Sequence, residues 1–202
     1  MRVSSRIRCS DFPCADVHRG SYFIPRVTLD PLAVSIILVS EAAPSALRDH
    51  YYAGGDSLFA RTTLQAFAEA GAEVAGIRDL IDRGIYLTTA IKCGKKGYAV
   101  ARATIDGCSA LLEKELALFP RARVILLMGD VAITALNLIS KRQGEGRVIP
   151  AGSTYKIRGG TFTYRGMRVF PSYLQAGPSY FIEKSKRKMI AEDIRSALQL
   201  VR

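Results

Sequence analysis

The chain has 202 residues, 49% hydrophobic and 23% charged, the balance of a single globular domain with a buried core. Its best apolar run, residues 32–39, is only strand-sized, and the basic N-terminus lacks the apolar stretch of a signal peptide, so we expect no membrane association and a cytoplasmic location. Lys and Arg number 29 against 18 Asp and Glu, a formal net charge of +11, which favours a polyanionic partner such as nucleic acid over a merely solubilising surface.

Strands and helices are predicted to alternate along the chain. Residues 1–31 contain Pro13, Pro25 and Pro31 and are expected to form an irregular segment draped over the domain. The predicted strands cover residues 34–40, 85–91, 123–128, 154–157, 161–164 and 168–171, and the predicted helices cover residues 58–70, 105–118, 131–140 and 183–200. The first three strands are apolar on both faces. The pattern predicts one α/β domain, residues 1–202, with three layers (α/β/α) around a central, mostly parallel four-stranded sheet.

Four cysteines need an explanation, because a cytoplasmic protein of this size does not depend on disulfides. Four residues separate Cys9 from Cys14, and fourteen separate Cys93 from Cys108. Four thiolates suit a zinc ion or an iron–sulfur cluster, although the close Cys pairs of zinc ribbons are absent. The alternative is four unrelated thiols that pack as small apolar residues.

Four segments, spread over nearly the whole chain, form a recognisable series. In order they are the pair Cys9 and Cys14 with His18-Arg19 after it, Glu41-Ala42-Ala43-Pro44, Ile85–Cys93 (IYLTTAIKC), and Val124–Ala132 (VILLMGDVA). The series resembles the iron–sulfur branch, family 4 and its relatives, of the uracil-DNA glycosylase superfamily. That family has a Cys pair separated by two residues, Gly-Glu-Ala-Pro-Gly, Val-Tyr-Ile-Thr-Asn-Ile-Val-Lys-Cys, and a strand ending in Leu-Gly-x-x-Ala.

This resemblance implies a fold, an activity and a cofactor. The fold is the single-domain uracil-DNA glycosylase fold. The activity is that of a DNA glycosylase, a hydrolase of base excision repair that flips a base out of DNA and cleaves its N-glycosidic bond. The cofactor is a 4Fe-4S cluster, with the four metal ligands Cys9, Cys14, Cys93 and Cys108. The cluster is expected to tie the N-terminal segment to the middle of the chain in a DNA-binding monomer.

Candidate site residues are expected at the carboxyl edge of the sheet, to which the first strand delivers Glu41 and the second delivers Thr88 and Thr89. A carboxylate is needed to orient water or to stabilise a cationic sugar, and Glu41, Asp49 and His50 are the catalytic candidates. Asp49 has the alternative of a solvated loop acid or helix cap, and His50 that of an ordinary hydrogen-bonded histidine.

Contacts to the base are expected from another group of side chains. By the resemblance, Tyr52 stacks on the extruded base, and the base-binding set is Ala42, Tyr52, Thr89 and Ser179. The alternative for Tyr52 is half-buried packing.

Two departures from the family bear on the substrate. Thr89 stands where the family has the Asn that reads a pyrimidine, and a Thr hydroxyl reaches less far than an amide. The closing His-Pro-Ser is missing, and either Phe170–Tyr173 (FPSY) or Gly177–Tyr180 (GPSY) takes its place. A smaller pocket side chain leaves room for a larger base. We therefore expect an aberrant or modified base as substrate: uracil, a deaminated base or a bulky modified one.

The C-terminal part is expected to contact DNA. Tyr180 or Phe181 is predicted to wedge into the gap left by the base. Lys184, Lys186 and Arg187 are predicted to hold phosphates at the start of the last helix. The alternative is an amphipathic helix with a solvated basic face.

Two other functions remain alternatives to the enzyme. The first is a non-catalytic iron–sulfur module that recognises damaged or single-stranded DNA, which the missing Asn and His favour. The second is an unrelated zinc-stabilised nucleotide-binding α/β domain.

Overall fold

A mixed sheet runs through the centre of the structure, a computed structural model that describes residues 1–201. Its strands are β1 (Val17–His18), β2 (Ile36–Ala43), β3 (Ile85–Lys95), β4 (Val124–Met128), β5 (Phe162–Tyr164) and β6 (Met167–Ser172). The helices are α1 (Leu58–Glu69), α2 (Ile77–Asp82), α3 (Arg102–Leu116), α4 (Asp130–Arg142), α5 (Thr154–Ile157) and α6 (Lys184–Gln199). No helix within residues 1–201 is long and apolar enough to cross a bilayer.

The six strands lie in the order β1-β3-β2-β4-β6-β5. The four inner strands are parallel, whereas β1 pairs with β3 and β5 pairs with β6 in the antiparallel sense. The predicted four-stranded parallel core is therefore confirmed, and two short edge strands extend it. Parallel strands bring their carboxyl ends to one edge of the sheet, which places the loops after β2, β3, β4 and β6 side by side.

Two apolar clusters cover the faces of the sheet and confirm the three layers. Ile37 and Val39 pack with helices α3 and α4, while Ile36 and Leu38 pack with α1 and α6. Successive side chains of a strand point to opposite faces, so an uninterrupted apolar run such as β2 supplies both clusters.

The structure differs from the prediction at residues 154–157, at residues 77–82 and at the end of β3. Residues 154–157 form the one-turn helix α5 and not a strand, and the short helix α2 was not predicted. Runs of four to six residues carry too little periodicity to separate helix from strand. Strand β3 continues to Lys95, beyond the predicted end at residue 91, because β2 and β1 both pair with its last residues.

The N-terminal segment is held on the domain by backbone hydrogen bonds. Phe23 N donates to Lys92 O at 2.8 Å, and Lys96 N donates to Asp16 O at 3.0 Å. Apart from β1 and short 3-10 turns it is irregular, as expected. Residues 1–31 thus lie against the carboxyl half of β3, where Cys93 is located.

A fully buried ion pair joins β3 to α3. Lys92 and Glu115 pair through their side chains, both 0% exposed. Glu115 also accepts hydrogen bonds from Tyr86 Oη at 2.5 Å and Thr88 Oγ1 at 2.8 Å, and Lys92 Nζ donates to Thr88 Oγ1 at 2.9 Å and to Thr89 O at 2.5 Å. The two charges therefore have a nearly complete set of partners, the condition under which a buried pair is tolerated.

Glu115→Ala should lower the free energy of unfolding by about 3–5 kcal/mol, because it leaves the Lys92 ammonium buried without a counter-charge. Urea denaturation followed by circular dichroism measures this. The matched control is Asp82→Ala, which breaks the exposed Arg78–Asp82 pair on α2 and should change the free energy of unfolding by less than about 0.5 kcal/mol. Similar effects for both variants would contradict a structural role for the buried pair.

Candidate functional site

The carboxyl edge of the parallel strands carries one carboxylate in a defined setting. Glu41, near the end of β2, accepts a hydrogen bond at 2.8 Å from Nζ of Lys95, the last residue of β3. Val131 N, in the first turn of α4, lies 3.5 Å from the other carboxylate oxygen. The side chains of Glu41 and Lys95 are 16% and 26% exposed. A lysine and the positive end of a helix dipole thus both face one partly buried carboxylate.

Gly129 makes room for this carboxylate. Its φ is +104°, and a Cβ atom there would lie 2.7 Å from the Glu41 side chain. Any larger residue would be both strained and in contact with the acid. The Gly-Asp pair that ends β4 and opens α4 is therefore explained by the position of Glu41.

Two small clefts open on either side of Glu41, and both are also lined by Leu174 and Ser179. The first, of about 260 Å³, includes Ala42, Phe59 and Lys95 among its lining residues. The second, of about 270 Å³, is lined among others by Gly129, Asp130, Tyr173 and Lys186. Together they offer three acids, two lysines, several hydroxyl groups and an apolar wall, a combination that can hold a small planar group beside a carboxylate.

Of the predicted catalytic and base-binding residues, Glu41, Ala42 and Ser179 meet at these clefts. Thr89 does not, because β3 continues for six residues beyond it. The Thr89 hydroxyl is buried within the strand and donates to Ile91 O at 2.9 Å. The expectation that Thr89 lies at the end of its strand is corrected accordingly.

Asp49 and Tyr52 also lie outside both clefts. Asp49 ends a half-exposed 3-10 turn. The Tyr52 hydroxyl is fixed by the backbone of β3, because it donates to Leu87 O at 2.9 Å and accepts from Leu87 N at 3.0 Å. In this arrangement Tyr52 braces the loop after β2 against the sheet.

His50 is buried next to Tyr52, with 1% of its surface exposed. Its ring centroid lies 3.8 Å from that of Phe23, and its Nδ1 atom has no hydrogen-bond partner among the described residues. Burial, with a smaller contribution from the nearby charge of Lys92, lowers the pKa of His50 to about 3. The imidazole is therefore neutral near pH 7, and it lines neither cleft.

Phe59, Lys95 and Leu174 are among the cleft residues that were not predicted as site residues. The sequence does give an indication for Lys95, because it belongs to the basic pair Lys95-Lys96, which comes soon after the predicted strand 85–91. Phe59 looked like part of the apolar stripe of a helix, and Leu174 lies between the two Pro-Ser segments left open for the closing motif. Leu174, which follows β6, stands in the wall beside Glu41.

The predicted DNA-binding residues divide into two groups. Tyr180 is 2% exposed and donates to Glu69 at 3.0 Å, and Arg187 pairs with the same carboxylate and lies over the Tyr180 ring. Tyr180 is therefore buried and not positioned as a wedge, and the guanidinium of Arg187, although partly exposed, is already paired. Phe181, by contrast, is 44% exposed, and Lys184 is exposed at the start of α6. Phe181 and Lys184 remain available to DNA.

The four cysteines lie within electrostatic reach of one another. Burial, followed by the neighbouring thiols of Cys108, Cys9 and Cys14, raises the pKa of Cys93 to about 12. Cys93 and Cys108 are buried, and Cys9 and Cys14 are partly exposed. No three His, Cys, Asp or Glu side chains in the described part of the chain surround one point closely enough for a single metal ion.

Comparison with known proteins gives one match. The family model described as Uracil DNA glycosylase superfamily matches residues 28–197. No curated protein matches the chain. The matched range contains Glu41, Gly129, Leu174 and all the other residues that line the two clefts, and it begins after Cys9 and Cys14.

The buried His50 should make stability depend on pH. An unfolded chain protonates histidine near pH 6.5, whereas the folded chain resists until about pH 3, so stability is present above pH 6.5 and is lost as the pH falls below it. Between pH 7.5 and pH 5.0, His50 should cost the wild-type protein about 2 kcal/mol of its free energy of unfolding, and His50→Gln should not show this part of the decrease. Urea denaturation at the two pH values measures it. His18→Gln, which changes the chain's other, exposed histidine, should leave the loss unchanged. Equal pH profiles for wild type and His50→Gln would contradict the burial of a neutral imidazole.

Proposed function

The chain belongs to the uracil DNA glycosylase superfamily, and from this premise we propose that it is a DNA glycosylase that hydrolyses the N-glycosidic bond of an extruded, aberrant or modified base. The observation that carries the proposal is the setting of Glu41. Lys95 Nζ and Val131 N at the start of α4 each contact one of its carboxylate oxygens, and it faces two clefts at the edge where α/β folds bind ligands.

The chemistry follows from this carboxylate. The bond between the base nitrogen and C1′ of the sugar breaks with its electron pair going to the base, and the sugar becomes cationic. Glu41 stabilises that charge and orients a water molecule, whose oxygen bonds to C1′ and whose proton is released. Lys95 has a positioning role, because its ammonium group fixes one oxygen of Glu41.

The cleft walls support a substrate chosen more by shape than by hydrogen bonds. Phe59 and Leu174 are apolar, and the exposed hydroxyls of the first cleft are those of Ser45 and Ser179. No amide side chain lines either cleft. We therefore place uracil, deaminated bases and bulky modified bases in the substrate class.

Glu41→Gln should reduce base release by about 10²–10³-fold while DNA binding persists, because the carboxylate acts on charge that develops in the transition state. The measurement is single-turnover cleavage of abasic sites formed in duplex and single-stranded oligonucleotides that contain uracil, hypoxanthine or modified cytosine. Asp49→Asn is the matched control, because it neutralises the other candidate carboxylate outside the clefts. Full activity of Glu41→Gln together with loss in Asp49→Asn would transfer the role to Asp49.

We also propose that Cys9, Cys14, Cys93 and Cys108 hold a 4Fe-4S cluster, as in the iron–sulfur branch that the sequence resembles. The resemblance supports this, and so does the chemistry of four soft thiolate donors. The cluster would supply cross-links between the N-terminal segment, β3 and α3. In this role the four cysteines would hold those three parts together and would not take part in base release.

Anaerobically purified protein should be brown and contain about four iron and four acid-labile sulfide per chain. Cys93→Ala should lose the colour and lower the melting temperature. Ser109→Ala, a neighbouring buried change on α3 that removes no thiol, should keep both iron and colour. Stoichiometric zinc without iron in the wild-type protein would contradict the cluster.

A second candidate function is a DNA-binding module without turnover. Two observations favour this alternative. The cleft wall contains the apolar residue Leu174, and His50 and Thr89 are buried away from the cleft. The same base panel separates the two, because the module would bind the oligonucleotides and release no base from any of them.

A further inference from the structure

A groove much larger than the two clefts runs along the outer face of α4. Its volume is about 860 Å³. Its floor is a helical stripe with spacings of one, three and four residues, formed by Asp130, Ile133, Thr134, Asn137, Leu138 and Lys141. The opposite wall is formed by residues 145–147 and 150–154, with Ile157 of α5. We call this the α4 groove.

The wall of the α4 groove is fixed to its floor. Asn137 Nδ2 donates to Ile149 O, and Ile149 N donates to Asn137 Oδ1, both at 2.9 Å. Ser140 Oγ donates to Gly146 O at 2.8 Å. Two side chains of α4 thus satisfy backbone groups of the loop, so the groove is part of the folded architecture.

The α4 groove continues into the site. Asp130, Thr154, Tyr173 and Lys186 line both the groove and the second cleft at Glu41. From Asp130 to Lys141 the stripe is roughly 16 Å long at 1.5 Å per helical residue. A chain that leaves the Glu41 cleft can therefore follow the groove over the length of the helix.

The charge along this path is mainly positive. Arg102, Lys141 and Arg147 line the groove, are exposed, and form no ion pair within the described residues. Lys186 also lines it and pairs with Glu183 at 2.6 Å. The acids of the lining are Asp130 and Glu145. Arginines and lysines without counter-ions are the groups that neutralise phosphates, and each phosphate bound releases counterions.

We propose that the α4 groove binds one unpaired DNA strand, the continuation of the strand whose base enters the Glu41 cleft. This rests on the proposed function and makes single-stranded or locally opened DNA the substrate class. A concave groove with a wall opposite α4 fits a flexible single strand better than the convex surface of a duplex. About five phosphates fit along roughly 16 Å at the spacing of about 3.4 Å within one strand. The half-buried ring of Tyr173, near the cleft, offers a surface on which a base can stack.

The test measures binding without chemistry. Fluorescence anisotropy with an undamaged 12-nucleotide single strand, and with the duplex of the same sequence, gives affinities at several salt concentrations. The test variant combines Arg102→Gln, Lys141→Gln and Arg147→Gln. The matched control combines Lys114→Gln, Arg121→Gln and Arg123→Gln, three exposed cations near the opposite edge of the sheet. Circular dichroism and melting temperatures confirm that both variants fold.

We expect the test variant to bind the single strand at least about tenfold more weakly, with a salt slope smaller by about 2, the value for three lost phosphate contacts on single-stranded DNA. Its affinity for the duplex should change less than that for the single strand, and the control should bind like the wild type. An equal loss for single strand and duplex, or a loss no larger than in the control, would overturn the proposal. The oligonucleotide has no target base, so this binding test does not depend on base release. A protein that binds single strands through the groove but releases no base would refute the proposed glycosylase function and would leave the groove proposal standing.

Discussion

The buried pair between Lys92 and Glu115 fixes the part of the fold on which the site depends. It joins β3 to α3 with no water contact, and Tyr86 and Thr88 complete its hydrogen bonds. Desolvating two charges costs several kcal/mol, so the pair is tolerable only in one geometry. That geometry sets the position of the carboxyl half of β3, which carries Cys93, the next residue, and ends at Lys95.

A second ion pair at the surface depends on the first. Lys95 follows Lys92 by three residues on the same strand and reaches Glu41 on β2. The buried pair is structural because it is sealed from solvent, whereas the Glu41–Lys95 pair is partly exposed beside two clefts. One strand thus supplies both the rigid support and the cation that orients the candidate catalytic acid.

The sequence predicted best those features for which the hydrophobic pattern of a segment and its place in the chain indicate the same structure. Apolar runs predicted the parallel core because a strand covered on both faces leaves no alternation, and Glu41 lies at the carboxyl edge because it is among the last residues of such a strand. Thr89 was misplaced because the length of β3 depends on pairing with β1 and β2, which are distant in sequence. Phe59 and Leu174 could not be assigned to the site, because only the tertiary fold brings α1 and the loop after β6 to Glu41.

The composition of the clefts limits how a base can be selected. Apolar walls such as Leu174 and Phe59 discriminate between similar groups by only about 10–200-fold, whereas a site built to hydrogen-bond a particular edge reaches about 10⁴–10⁵-fold. A glycosylase with this lining must obtain further selectivity from the step before chemistry. Extruding a base costs least from DNA that is already unpaired. If the α4 groove holds an unpaired strand beside Glu41, the protein would select its substrate by recognising unpaired DNA. The cleft would then need only to accept the base by size.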